Sequence, residues 1–293
     1  MAIRLLAIAA AWALSCGSAF AAHETTTLDG VAVDVWTREG VPQSGDPVRE
    51  PVIVFSHGFH GCATQSRFLM EAFASAGYFV VAPNHRDASC RGGLKRLADR
   101  LRDAFQRPAS WTDESFRDRA DDIRRVIAAL ENDERFADRV DLSRLALAGH
   151  SLGGYTVLGL AGAWRSWHLP QVKAVLALSP YSQPFLVQDT LGGLTVPVMY
   201  QGGTLDFGVL PELRKNSAAF DLSPEPKYFV NFYGATHFVW TNLGLGHRNE
   251  IVAYSLAFMD HYVRGERAAD VLTQRLPGVA DYRYASELGQ GSM

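Results

Sequence analysis

Three side chains in this sequence have the types and the order that attack on a carbonyl requires. Ser151 lies in Gly149-His150-Ser151-Leu152-Gly153-Gly154, directly after the apolar run Leu145-Ala146-Leu147-Ala148 and ahead of a helical pattern. A strand that runs into Gly-x-Ser-x-Gly and then a helix lifts the serine hydroxyl onto a sharp turn, close to the backbone N–H groups that open the helix. A serine hydroxyl is a poor nucleophile near neutrality and needs a base, itself oriented by a carboxylate. His237, in Gly234-Ala235-Thr236-His237-Phe238, follows the apolar run that begins at Tyr228 and fits the base. Its rival, His247, sits in Gly-rich sequence at the edge of the last helical pattern, where a solvated histidine is the ordinary explanation. Asp206 follows the run 196–201 and fits the carboxylate, with Asp189, after the preceding strand, as the alternative. Asp221 falls at the end of a helical pattern and reads as structural.

The same chemistry needs two donors for a developing oxyanion. The Leu152 N–H, directly after the nucleophile, is one. The loop Ser56-His57-Gly58-Phe59-His60-Gly61, after the first long apolar strand, offers the Phe59 N–H as the other. His60, Tyr181 and Trp240 are candidate substrate contacts, with core packing an equal reading for Tyr181 and Trp240. His57 and His60 have no third ligand nearby, so no metal is expected. His85, in Asn84-His85-Arg86-Asp87, reads as a loop residue near the mouth of the site.

Those residues must hang on a scaffold, and the chain alternates short apolar runs with helical patterns from Pro51 onward. The runs are Val52-Ile53-Val54-Phe55, residues 78–82, 145–148, 172–178 and 196–200, and Tyr228-Phe229-Val230-Asn231. Strands this uniformly apolar are covered on both faces, which is the pattern of a parallel sheet built from strand-helix-strand units. Helical stretches are expected at 67–76, 116–130, 153–163, 210–220 and 250–263; in the second, Phe116, Ala120, Ile123, Ile127 and Leu130 recur at helical spacing. No linker or repeat divides residues 22–293, which read as one domain. Residues 94–107 interrupt the alternation with an apolar stripe of Leu94, Leu97, Leu101 and Phe105. From Arg91 to Arg107 there are six basic and two acidic residues, which makes this segment either a solvated amphipathic helix or a small basic cap that draws anionic substrates or a membrane surface.

Composition narrows the classes. Of 293 residues, 47% are hydrophobic and 20% charged, too apolar for disorder and enough for a large core. With 28 Lys and Arg against 31 Asp and Glu, a net charge of −3 gives no electrostatic reason to expect nucleic acid. At the N-terminus, Arg4, an apolar stretch over 5–14 and Ala19-Phe20-Ala21 form the three zones of a signal peptide cut after Ala21, residues 1–21. The apolar stretch is too short for a permanent span. Cys16 as a lipidated cysteine is the alternative, although Ala13 stands where such signals usually have Leu. Cleavage leaves Cys62 and Cys90, both just beyond neighbouring strands, as an expected disulfide.

With strand, nucleophile, acid and base in that order, residues 52–263 resemble the α/β-hydrolase superfamily. Within it the likeness is to secreted bacterial serine esterases of the dienelactone-hydrolase-like and platelet-activating-factor-acetylhydrolase-like kind. It rests on Val54-Phe55-Ser56-His57-Gly58-Phe59, the segment 78–83, Asp118-Arg119-Ala120-Asp121-Asp122-Ile123 and Ala148-Gly149-His150-Ser151-Leu152-Gly153-Gly154-Tyr155-Thr156. The polyester-cleaving cutinase-like enzymes share the plan. The resemblance implies a mostly parallel sheet with helices on both faces, at most a small helical cap, and no cofactor. It implies Ser151, Asp206 and His237 as the triad, with Phe59 and Leu152 as oxyanion donors. Two departures bear on substrate: a dienelactone hydrolase proper has cysteine where this chain has Ser151, and the acetylhydrolases place their acid after the earlier strand, where residues 174–182 contain no carboxylate. The expectation is a secreted or periplasmic hydrolase of small or polymeric carboxylic esters, with amide cleavage on anionic substrates as the alternative. Nothing in the sequence assigns an oligomeric state.

Overall fold

The computed structural model describes residues 21–39, 49–89, 105 and 107–293. Ten strands form one sheet: β1 (Ala21–Leu28), β2 (Val31–Arg38), β3 (Glu50–Ser56), β4 (Phe79–Pro83), β5 (Val140–His150), β6 (Val172–Leu178), β7 (Val198–Gly203), β8 (Lys227–Phe232), β9 (Val279–Ser286) and β10 (Gly289–Ser292). Their order is β1-β2-β4-β3-β5-β6-β7-β8-β9-β10. The six central strands pair in parallel, and an antiparallel pair flanks each side. All six apolar runs picked out in the sequence are these central strands.

The sheet is covered on both faces, which explains why its strands read as unbroken apolar runs. Val52 and Val54 of β3 enter one core with Ala120, Ile123, Val126 and Leu130 of α2 (Arg117–Asn132). Ile53 and Phe55 enter the other, with Leu69, Met70 and Phe73 of α1 (Arg67–Ser75) and Tyr254, Phe258 and Met259 of α7 (Arg248–Arg264). Full burial of side chains of this size contributes roughly 1.5–3 kcal/mol each. Consecutive residues of one strand thus stabilise opposite layers, and a polar residue at either would be buried.

The flanking strands lack that unbroken apolar signature and add to the six expected from the sequence. β1 and β2 are joined by Asp29-Gly30, with φ of 42° and 73°. Two residues of positive φ match the twist of a hairpin, and Asp-Gly is a usual pair for it. The stretch 153–163 is helical as expected, as α3 (Leu152–Leu158) and then a π-helical turn (Gly159–Ala163) in which Gly162 departs at φ 121°. One helical expectation is revised. The stretch 210–220 breaks into α5 (Leu210–Arg214) and α6 (Ala219–Leu222), because Ser217 adopts φ 59° and its N–H donates to the Asp221 carboxylate instead of continuing the helix. A short helix α4 (Gln183–Val187) precedes β7.

The order reverses around β3: the chain places β4 on one side of it and then crosses to β5 on the other. Ligands of open α/β sheets bind outside the carboxyl ends of the strands at such a switch point. Here the loop after β3 and the turn after β5 are the two segments that carry the oxyanion candidates. The expected signal peptide lies, up to residue 20, outside the described residues, as do Cys90 and nearly all of the basic segment 94–107. Cys62 is disulfide-bonded. No helix among the described residues is long and apolar enough to cross a membrane.

Candidate active site

The turn after β5 bends sharply. Ser151 adopts φ 55° and ψ −117°, a sparsely populated combination of the kind that costs of order 1–3 kcal/mol. Two close approaches hold it. A Cβ on Gly153 would lie 1.9 Å from the Ser56 carbonyl oxygen, and one on Gly149 would lie 2.3 Å from the Gly153 oxygen. Only glycines let the start of α3 sit this close to the end of β3. The Ser151 N–H donates to Leu178 O at 2.9 Å, which fixes the turn against β6.

At this turn Ser151 Oγ is 2.9 Å from His237 Nε2, and His237 Nδ1 is 2.9 Å from Asp206 Oδ2. Asp206 is 4% exposed, so its charge is held away from water beside the imidazole, while the His237 side chain keeps 27% of its surface. The three residues foreseen as nucleophile, acid and base therefore converge from the ends of β5, β7 and β8. His247 does not join them: it opens α7, and its ring bonds Tyr233 O. Asp189 is exposed in a turn with φ 53°.

A fourth group, which no local sequence pattern marks, completes the cluster. Ser179 follows β6 with φ 43°, and its hydroxyl donates to Asp206 Oδ2 while lying 2.9 Å from His237 Nδ1. The signal was faint: a serine at the end of β6, where the acetylhydrolase pattern would have an acid.

A chain of side chains ties the base to the oxyanion loop. Gly58 N–H donates to Gln65 Oε1, Gln65 Nε2 donates to His150 Nδ1, and His150 Nε2 donates to His237 O. That direction requires a neutral His150. Burial supplies it, lowering the pKa to about 3, helped by repulsion from His237. Gln65 was not foreseen, and nothing local in Ala63-Thr64-Gln65 announces it.

Phe59 lines the cleft, and Leu152 directly follows Ser151, which also lines it. Leu152 is the first residue of α3, where helix N–H groups have no partner in the preceding turn. The Phe59 N–H has no hydrogen-bond partner among the described residues. Its loop is anchored on both sides. Arg119 Nη2 donates to His57 O at 2.6 Å, and Asp87, in an ion pair with Arg119, accepts the His60 N–H. His57 donates from Nδ1 to Gly58 O and accepts the His85 N–H at Nε2. Burial and the Arg119 guanidinium hold His57 well below the usual histidine range, so it stays neutral.

The cleft has a volume of about 760 Å³ and is lined by Phe59, His60, Phe105, Tyr181, Phe238 and Leu243 around Ser151 and His237. Phe59 meets Phe105 edge-on at 5.2 Å, and Phe105 meets Tyr181 at 5.0 Å, giving one wall an aromatic face. Of the expected substrate contacts, His60 and Tyr181 lie on the cleft. Trp240 does not: it is fully buried, and its indole N–H donates to Gln201 Oε1 behind the site. His85, expected near the mouth, is likewise buried, between Ser56 and Asp122. Both corrections have one cause, since a polar side chain with a partner for every donor can be buried without penalty. Among the described residues no group of three or more His, Cys, Asp or Glu could hold a metal ion.

A parallel-centred sheet covered on both faces, with serine, acid and histidine at strand ends in that chain order, is the α/β-hydrolase fold. Residues 105–274 match the family model described as PET hydrolase-like, more than half of the chain, and the protein belongs to that family. Residues 26–100 match the model of platelet-activating factor acetylhydrolase, isoform II. The chain is 31% identical over 128 residues to Cutinase 1 of Thermobifida cellulosilytica, covering 43% of each chain. It is 31% identical over 128 residues to a cutinase of Thermobifida fusca (strain YX), covering 43% of this chain and 38% of the relative. To Cutinase 2 of T. cellulosilytica it is 32% identical over 148 residues, 48% of this chain and 51% of the relative. The matched segments thus span about half or less of these relatives.

Proposed function

We propose that the protein is an exported serine hydrolase of carboxylic esters. The observation that carries this reading is the pair of 2.9 Å contacts from Ser151 through His237 to Asp206 beside an aromatic-walled cleft. Ser151 Oγ attacks the ester carbonyl carbon while His237 Nε2 takes its proton, and Asp206 holds the imidazolium that forms. The carbonyl oxygen, now negative, is met by the Phe59 and Leu152 amides. The C–O bond to the alcohol then breaks, His237 returns the proton to that oxygen, and water repeats the sequence on the acyl-enzyme.

Relatives named as cutinases and a PET hydrolase-like family favour esters over amides, including polymeric ones. The apolar wall of Phe59, Phe105 and Tyr181 fits an acyl or aryl group better than a charged one. Export rests on the N-terminal pattern of residues 1–21. The disulfide of Cys62 is proposed to be with Cys90. Substrate steering by the basic segment 94–107 is a proposal from sequence alone.

Hydrolysis of aryl esters of graded acyl length, set beside matched anilides, tests the reaction class. Esters should be cleaved at least a hundredfold faster, with an optimum in chain length that reflects the cleft. Faster anilide cleavage would overturn the ester reading.

A further inference from the structure

We infer that Ser179 is a positioning residue of the hydrolytic site, a third partner of the Asp206–His237 pair that restrains the negative charge Asp206 presents to the imidazole. This rests on the triad reading above and concerns how that triad is set.

The inference begins with the geometry of one oxygen. Asp206 Oδ2 accepts from His237 Nδ1 at 2.9 Å and also from the Ser179 hydroxyl. Ser179 Oγ is itself 2.9 Å from His237 Nδ1, so the three atoms form a closed triangle. The Nδ1–H therefore points at an acceptor whose charge is already shared with a second donor. A hydrogen bond to a carboxylate stabilises its ionised form and weakens it as a base. The hydroxyl thus keeps Asp206 ionised while reducing how strongly it favours the imidazolium over the neutral ring.

The backbone shows that this hydroxyl is held in place. Ser179 is fully buried at the end of β6, in a left-handed conformation that a non-glycine residue adopts at some cost. Its N–H donates to Gln201 O at 2.7 Å, fixing it between β6 and β7. The fold itself thus carries the Ser179 hydroxyl to Asp206. Such an arrangement suits a base that must be neutral before attack and protonated during it.

The surrounding titratable groups are few. His150, at the end of β5, has its ring 4.8 Å from that of His237, and burial keeps it neutral. Tyr181, across the cleft, is pushed up to about 12 by burial and stays protonated. His60, on the cleft wall, is the remaining histidine. A limb set by any group outside the triad would be common to the wild type and a Ser179 variant, so the comparison between them isolates the triad.

The test is the pH profile of kcat/KM on p-nitrophenyl butyrate for wild type, Ser179→Ala and Ser179→Cys. The acid limb of this profile reports the free enzyme. Removing the donor leaves more charge on Asp206 facing the imidazolium, so the acid limb should move to higher pH by about half a unit in Ser179→Ala. In that variant kcat should fall about 3- to 30-fold while KM stays within twofold, because the lost interaction orients the base and does not bind substrate. Ser179→Cys keeps the volume with a weaker donor and should fall between the two, which preserves the test should the alanine variant fold poorly. An acid limb that superimposes on wild type in both variants would overturn the inference. Ser151→Ala, assayed alongside, separates the two readings. Retained activity there defeats the triad itself, whereas an inactive Ser151→Ala with unshifted Ser179 variants defeats only the role of Ser179.

Discussion

Two Ser-His-Asp chains of nearly the same dimensions occur in this molecule. In the first, Ser151, His237 and Asp206 are linked by contacts of 2.9 and 2.9 Å; in the second, Ser56, His85 and Asp122 are linked by 2.9 and 3.0 Å. Bond lengths do not tell them apart, but surroundings do. Ser151 stands on a strained turn beside a cleft of about 760 Å³, next to amides that can meet an oxyanion. Ser56 ends β3 with no exposed surface, and the His85 side chain is also completely buried.

The electrostatics differ as well. Burial and the nearby Arg119 guanidinium push His85 well below the ordinary histidine range, so its protonated form is penalised from two directions. Asp122, pushed up to about 6 by burial, is a weak counter-charge for it. A general base must accept a positive charge during the reaction, and only the first chain has a neighbourhood that tolerates one. The second chain is mortar: it fixes the loop that begins at His57. Connectivity of types is thus insufficient for reactivity, and access together with room for charge decides it.

The comparison breaks most directly at the two serines. A serine-directed phosphonate should form one covalent adduct on the wild type. Mass spectrometry should find none on Ser151→Ala, whose kcat falls by at least about 10⁴. Ser56→Ala should label like wild type and keep its activity within a fewfold. It loses about 1–3 kcal/mol of stability, because the His85 ring nitrogen it served is left buried without a partner. A labelled Ser151→Ala would reverse the assignment of the two chains.

Arg119 sharpens the contrast from the structural side. It is fully buried and pairs with Asp87 at 3.3 Å while donating to His57 O. Arg119→Met should cost about 3–5 kcal/mol in denaturant unfolding, the usual penalty for removing one partner of a buried pair. Activity per folded molecule should fall less steeply than in Ser151→Ala, since the loop loses an anchor and the nucleophile stays intact.

The smallest effect is a pH slope. The carboxyl of Asp122 has its pKa raised from 3.8 to about 6, so it favours the folded state when protonated. The stability it contributes is fully present below about pH 4 and is lost as pH rises through 6. Asp122→Asn removes that dependence. Between pH 4 and 6.5 the Tm of wild type should fall by a few degrees relative to the variant, as followed by circular dichroism. Parallel curves would show that Asp122 does not titrate in this range.

Much of this architecture was legible in the chain because burial on both faces writes itself into sequence. Val52-Ile53-Val54-Phe55 can only be a central strand, since each neighbour faces a different apolar layer. The outer strands were not legible by the same rule: β1, β9 and β10 mix exposed and covered residues, and β2, although largely buried, is interrupted by Asp34, which His23, Thr25 and Asn84 hydrogen-bond. Asp29-Gly30 was a readable hairpin signal between β1 and β2 all the same. At the site, Ser151 was readable because its glycines are demanded by the close approach of α3 to Ser56.

What the sequence alone determined is the run of six central strands along the chain, the turn at Ser151 and the types of acid and base, since each depends on local pattern or chain order; the order of the strands within the sheet came from the fold. Tertiary structure alone decided which Ser-His-Asp set faces a cleft, that Ser179 joins Asp206, that Gln65 and His150 bridge Gly58 to His237, and that Trp240 and His85 turn inward. Apart from Gly58 and Gln65, seven positions apart, these hydrogen bonds join residues 27 to 87 positions apart. Hydrogen bonding and burial act through space, and spacing along a chain carries no trace of which distant partner will arrive.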